Sequence, residues 1–153
     1  MALHAATAAA AIHETVSFER LVAFEVDWEE PLVYDPEVPP TAALPANVRR
    51  MHARTIEIEG YMTPLDWTPD GDQDRVERFL FTPNPVGCCV VHLPQMKDMV
   101  EVVMPEGETA EYVPLAPATV RGTFEVREKI DEDGYVLALF RIRATSVRRS
   151  RAY

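Results

Sequence analysis

The residues best equipped for chemistry lie together in Gly87-Cys88-Cys89-Val90-Val91-His92-Leu93-Pro94. Thiolate and imidazole are preferred ligands of Zn²⁺ and Cu⁺. The spacing Cys89-x-x-His92, with Cys88 beside it, can chelate from a turn. A closed zinc site needs four ligands. The chain has only 2 cysteines, and His52 is the one further candidate within the folded part. The simpler reading, and the preferred one, makes both cysteines small apolar residues at a strand edge and His92 a satisfied loop histidine. A thiol nucleophile would need a low-pKa thiolate beside a histidine and an oriented acid. No nucleophile-elbow or oxyanion pattern accompanies these residues, so no catalytic residue is assigned and the reading leans away from an enzyme. Two adjacent cysteines also exclude a disulfide framework.

Two weaker constellations remain. Tyr61, Trp67, Phe79 and Phe81 could form a stacking surface for a ligand. Phe79 and Phe81 lie in an apolar run and read as core, which leaves Tyr61 and Trp67 as candidates. Asp66, Asp70, Asp72 and Asp74 alternate around Gly71. That loop lacks the length and the closing glutamate of a calcium loop, so it reads as a solvated turn. A formal net charge of −10 disfavours unaided binding to nucleic acid or anionic lipid, since both are polyanions. The expected partner is a protein or a small ligand. No cofactor is expected beyond the Zn or Cu that a thiolate/imidazole site would take.

The charge is uneven. Glu14 to Glu37 holds eight acids and one arginine, whereas Arg141 to Arg151 holds five arginines and no acid. The reading preferred is that the two ends lie close and partly neutralise each other.

The elements that would position these residues are mostly strands. Residues 1–16 read as an Ala-rich tail, helical or disordered, with His4 and His13 solvated. This tail lacks the basic and strongly apolar regions of an intact signal peptide. Residues 17–153 read as one domain. Ser17 is placed to cap a short helix carrying Phe18, Leu21 and Val22. Residues 28–47 contain Pro31, Pro36, Pro39, Pro40 and Pro45, too many for a helix or central strand. They read as an extended segment wrapped on the domain and pinned by Trp28, Leu32, Val33 and Tyr34.

Five strands follow. Arg54 to Met62 alternates cleanly, with Ile56, Ile58, Gly60 and Met62 on one face. Gly60 marks a bend where the strand leaves one side of a curled sheet for another, and Pro64 is expected to end it. Arg75–Thr82, Met99–Met104, Thr119–Glu128 and Tyr135–Val147 are the others, with one helical turn at most between Glu108 and Pro117. Asp131-Glu132-Asp133-Gly134 reads as a hairpin turn. Glu57 and Glu59 are expected as cross-strand neighbours of Arg121 and Arg127. No apolar run reaches the ~20 residues of a membrane helix. The fold expected is mostly β: a five-stranded antiparallel barrel of the oligonucleotide/oligosaccharide-binding (OB) type, with an extended, partly helical N-terminal segment. An open antiparallel sandwich is the alternative.

Several ordered motifs carry a resemblance. They are Gly60-Tyr61-Met62-Thr63-Pro64-Leu65, Phe79-Leu80-Phe81-Thr82-Pro83, Cys88 or Cys89 with His92-Leu93-Pro94, Val100-Glu101-Val102-Val103 and Val120-Arg121-Gly122-Thr123-Phe124-Glu125-Val126. Over about Trp28 to Val147 the chain resembles an uncharacterised bacterial family, the domain of unknown function numbered three-two-nine-nine. The resemblance implies a small exported or periplasmic protein, often encoded beside transport systems, and no activity. This chain departs from the family pattern in lacking an export signal and in keeping only Pro94 of the proline run after the cysteine. The function it points to is a non-enzymatic binding or accessory protein, with metal binding through Cys88, Cys89 and His92 as the alternative and a cysteine-dependent enzyme as a weaker one.

Overall fold

Every second residue from Ile56 to Met62 is buried, as the alternation requires. The computed structural model describes residues 12–68, 70–86 and 94–151. The chain forms β1 (Glu14–Val16), α1 (Phe18–Leu21), α2 (Ala46–Arg49), β2 (Thr55–Trp67), β3 (Arg75–Thr82), β4 (Val100–Val103), β5 (Ala110–Glu111), β6 (Ala118–Ile130) and β7 (Val136–Arg149). Short 3-10 turns stand at Pro40–Ala43 and Met96–Asp98. The protein is mostly β, and among the described residues no helix is long and apolar enough to cross a membrane.

Among the described residues seven strands share one sheet, in the order β1-β2-β6-β7-β4-β3-β5, and β2 also pairs with β3. The pairings β2–β6, β6–β7, β7–β4, β4–β3 and β3–β2 therefore return on themselves. The sheet is mixed, which corrects the expectation of a wholly antiparallel one. β4 runs parallel to β7, and β1 runs parallel to β2. The reason lies in the count: five strands paired in a circle cannot alternate direction all the way round, so one neighbouring pair must be parallel. Here the parallel partners are separated in sequence by β5 and β6, the long connection that parallel pairing needs.

Gly60 is the point where β2 changes partner. Thr55 to Gly60 pair with β6, and Tyr61 onward pairs with β3. A Cβ at Gly60 would lie 2.7 Å from both the Thr82 carbonyl oxygen and Phe18 Cε2. The expected bend is therefore also a close approach of two backbones and a ring. Pro64 does not end the strand. It pairs with Phe79, and the register slips just beyond it, so the proline stands beside an irregularity.

The core is built from the inward residues of the ring. Phe79, Phe81, Phe124 and Phe140 are fully buried, as are Ile56, Ile142, Val100 and Val102. Each such side chain contributes about 1.5–3 kcal/mol by leaving water. Phe18 and Leu21 add the buried face of α1, whose Ser17 cap accepts from the Arg20 N–H at 3.2 Å.

Other expectations change. Residues 14–16, read as tail, form β1 against Ile56–Ile58. The segment after Glu108 holds β5, paired with Arg75 and Val76, in place of a helical turn. The Pro-rich stretch is extended as expected, but it includes the 3-10 turn at Pro40–Ala43 and leads into α2. Trp28, Leu32 and Tyr34 pack on the core while Val33 is exposed.

Candidate functional site

Strand parity decides which side chains face outward. In β3, Phe79 and Phe81 fill the core, so Arg78, Leu80 and Thr82 take the opposite face. In β2 the outward residues beside them are Tyr61 and Thr63, opposite Thr82 and Leu80. In β4 Glu101 stands opposite Leu80, in β7 Arg141 opposite Glu101, and in β6 Glu125 opposite Arg141. One row therefore crosses five strands: Thr63, Leu80, Glu101, Arg141, Glu125. It begins apolar and becomes charged.

The apolar end is a groove. Thr63, Leu80, Thr82, Val86, Pro94 and Met99 line a cavity of about 320 Å³. The Thr82 hydroxyl is already spent, donating to the Asn84 carbonyl oxygen at 2.7 Å. Leu80, Met99 and Val86 thus present carbon, with Val86 37% exposed. Val86 and Pro94 are the residues on either side of the stretch 87–93.

The charged end centres on Glu101, only 4% exposed on a face turned away from the core. Lys129 Nζ lies 2.6 Å from its Oε2, Arg141 Nε 2.9 Å from its Oε1, and Arg78 Nη1 3.7 Å from Oε2. Burial pushes the Glu101 carboxyl up. The hydrogen bond and charge of Lys129, then the charges of Arg141 and Arg78, outweigh it and hold the carboxyl below its usual value. Arg78 also meets Asp66 at 2.8 Å, and Arg143 meets Glu125 at 2.7 Å.

A second charged patch stands on β2 and β6. Arg121 binds Glu57 Oε2 at 2.9 Å, the cross-strand pair expected from sequence. Glu59 faces Thr119 instead of an arginine. The Arg121 hydrogen bond holds the Glu57 carboxyl below its usual value against the opposing effect of burial, helped by the charges of Arg121, Arg148 and His13. His13, expected to be solvated, is only partly exposed: its Nε2 is 3.3 Å from Arg121 Nη2 and 3.8 Å from Glu57. Of the C-terminal arginines, Arg141, Arg143 and Arg148 pair with Glu101, Glu125 and Glu57 of the sheet, and among the described residues none pairs with an acid of the N-terminal segment.

The structure separates the residues singled out from sequence. Tyr61 is half-buried and sits in register beside the groove residues Thr63 and Thr82. Trp67 is six residues further along β2, about 20 Å away, and packs edge-on against Tyr112 with ring centroids 5.3 Å apart. The two do not form one platform. Phe79 and Phe81 are core. Cys88, Cys89 and His92, with His4, lie outside the described residues. His52 Nδ1 accepts the Val126 N–H at 3.0 Å, which commits that nitrogen to the backbone. Asp70 accepts from the Thr68 hydroxyl and the Asp72 N–H, and Asp72 accepts from the Asp74 N–H. These carboxylates shape their own turn. Among the described residues no group of three His, Cys, Asp or Glu side chains is placed to hold a metal ion.

Leu80, Met99, Glu101 and Lys129 are not among the site residues that the sequence singles out. For Leu80 the signal was present: between two core phenylalanines on a strand, it must point out. For Glu101 and its cations there was none, since the partners come from strands far away in sequence.

No curated protein matches the chain significantly. Among solved structures, the chain is similar to a crystal structure of a DUF3299 family protein from Pseudomonas aeruginosa PAO1. The TM-score is 0.60 at 22% identity, covering 93% of this chain and 99% of that one, which is a likeness of fold. The family described as "Protein of unknown function (DUF3299)" matches residues 34–149. With most of its length matched, and with a solved relative of the same fold, the chain belongs to the DUF3299 family.

Proposed function

We propose that the protein is a non-enzymatic binding protein that takes a small apolar ligand on the outer face of β2 and β3, beside the start of β4. The observation that carries this is the groove of about 320 Å³ walled by Thr63, Leu80, Thr82, Val86, Pro94 and Met99. Its volume falls in the range of small-molecule sites of ~300–1,000 Å³. Its exposed surface is carbon, so a ligand gains by leaving water rather than by hydrogen bonding.

The five paired strands read as an OB-like barrel. β2, β3, β4, β6 and β7 serve as its first to fifth strands, with the third and fifth parallel. In that fold the outer face of the second and third strands carries ligands. Leu80 and Met99 belong to that region here. Tyr61 flanks the groove by register. A protein partner would use the same surface through an apolar side chain.

The test is titration with the neutral fluorescent probe 1-N-phenylnaphthylamine. The wild type is expected to give a saturable increase that Leu80→Asn abolishes while the unfolding midpoint stays close to wild type. A probe response equal in both proteins would overturn the assignment.

A further inference from the structure

The apolar groove on β2 and β3 adjoins a smaller, polar cavity. The two share Thr82, Val86 and Pro94 as walls. The smaller one, of about 70 Å³, adds Pro83, Asn84, Pro85 and Asp98, and has room for a small polar group. Its lining is rich in acceptors and short of donors. Pro83, Pro85 and Pro94 have no backbone N–H. The Thr82 hydroxyl proton already goes to the Asn84 carbonyl oxygen, at 2.7 Å. Asp98 is half-buried and caps the 3-10 turn Met96–Asp98, where its Oδ2 accepts the Gln95 N–H at 3.3 Å. A carboxylate offers about four acceptor sites, so Asp98 keeps acceptor capacity beyond that one bond. No basic side chain stands among these lining residues. Lys97, next to Asp98 in the chain, gives its ammonium to the Phe24 carbonyl oxygen at 3.1 Å.

We propose that the ligand of the groove is an apolar alcohol, with its carbon body on Leu80 and Met99 and its hydroxyl in the small cavity, donating to Asp98. This rests on the groove being a ligand site and adds the chemistry of the ligand's polar end. A hydroxyl supplies the donor that the lining lacks, and it can also accept from the Asn84 side-chain amide. A plain hydrocarbon would cover the Asp98 carboxylate without giving it a donor, which is unfavourable. A carboxylate ligand would set its charge against Asp98 with no cation in the lining to offset it. The formal net charge of −10 opposes an anion in the same direction.

The experiment is competition on the full chain against bound 1-N-phenylnaphthylamine. The competitors are 1-naphthylmethanol and its methyl ether, 1-(methoxymethyl)naphthalene, which share a skeleton while only the alcohol can donate. The alcohol is expected to displace the probe at about fivefold lower concentration, the worth of one net hydrogen bond. Asp98→Asn keeps an oxygen for the Gln95 N–H and presents an amide donor in place of the second carboxylate oxygen. It is expected to bring the preference for alcohol over ether close to one, whereas a steric penalty on the ether's methyl group would survive the substitution. The anion 1-naphthoate is expected to be the weakest competitor in wild type and to improve in Asp98→Asn. A wild type that takes up no probe would overturn the groove and the alcohol together. Probe uptake with equal displacement by alcohol and ether, or a preference unchanged in Asp98→Asn, would overturn the alcohol alone. The wild-type comparison decides the matter even where the variant fails to fold.

Discussion

Glu101→Gln removes one negative charge and leaves the shape of the side chain almost unchanged. The wild-type carboxylate is held by Lys129, Arg141 and Arg78 at 2.6, 2.9 and 3.7 Å. Removing one member of a buried ion pair costs about 3–5 kcal/mol, because the other charge stays behind unpaired. The side chains of Lys129 and Arg141 are 16% and 25% exposed, so most of that penalty applies to them. Arg78 is 36% exposed and keeps Asp66, so its share is discounted to the ~0–1 kcal/mol of a surface pair. The expected loss is about 3 kcal/mol, measured as a lower urea midpoint with an unchanged slope. For a chain of this size that lowers the melting temperature by about 6–12 °C. Arg78→Gln, the control, is expected to cost under ~1 kcal/mol. A Glu101→Gln loss below about 1 kcal/mol would refute the reasoning, since the four strands tied by this carboxylate would then hold without it.

Other predictions follow from the same geometry. Glu101, Glu57 and Glu14 all have carboxyls held below the ordinary value of 4.5. Their contribution is complete above that value and is lost as pH falls through the lower folded values. Urea midpoints are therefore expected to drop below about pH 4.5, and less steeply in Glu101→Gln. Gly60→Ala is expected to cost about 1–3 kcal/mol, because its methyl would press on the Thr82 carbonyl. Gly122→Ala is expected to cost more, since its methyl would meet the Arg143 carbonyl oxygen and the Ala144 Cα, both backbone; equal thermal shifts for the two would contradict this. Protein purified without chelator is expected to contain no stoichiometric Zn or Cu by elemental analysis. One equivalent of either would favour a thiolate/imidazole site at Cys88, Cys89 and His92 over an apolar ligand.

Much of the ring was legible because its strands are long and their alternation is local. Ile56, Ile58 and Met62 announced the inward face of β2, and Gly60 announced the change of partner. The turn at Asp131–Gly134 formed as its residues demand, with the Asp131 N–H donating to the Tyr135 carbonyl oxygen and Gly134 at φ +87. β1 and β5 were not legible. Three and two residues are too few to show a period, and their pairing is set by strands far along the chain. Nothing in Val100-Glu101-Val102-Val103 sets Glu101 apart from an ordinary strand carboxylate. Its burial comes from cations on β3, β6 and β7 that only the fold brings together. Leu80 was readable by parity, but the groove needed Met99 and Pro94 from beyond the next turn. The cysteine–histidine stretch drew attention through chemistry, whereas the site proposed here is defined by carbon.

Binding of an apolar ligand to the outer face of β2 and β3, beside the start of β4, can be read residue by residue. Amide chemical-shift mapping of the isotopically labelled protein, titrated with 1-N-phenylnaphthylamine, tests it most directly. Saturable shifts are expected at Thr63, Leu80, Thr82, Val86 and Met99, with Ile56, Glu57 and Arg121, which line no part of the groove, unmoved. Shifts spread evenly over the protein, or confined to surfaces away from Leu80, would contradict it.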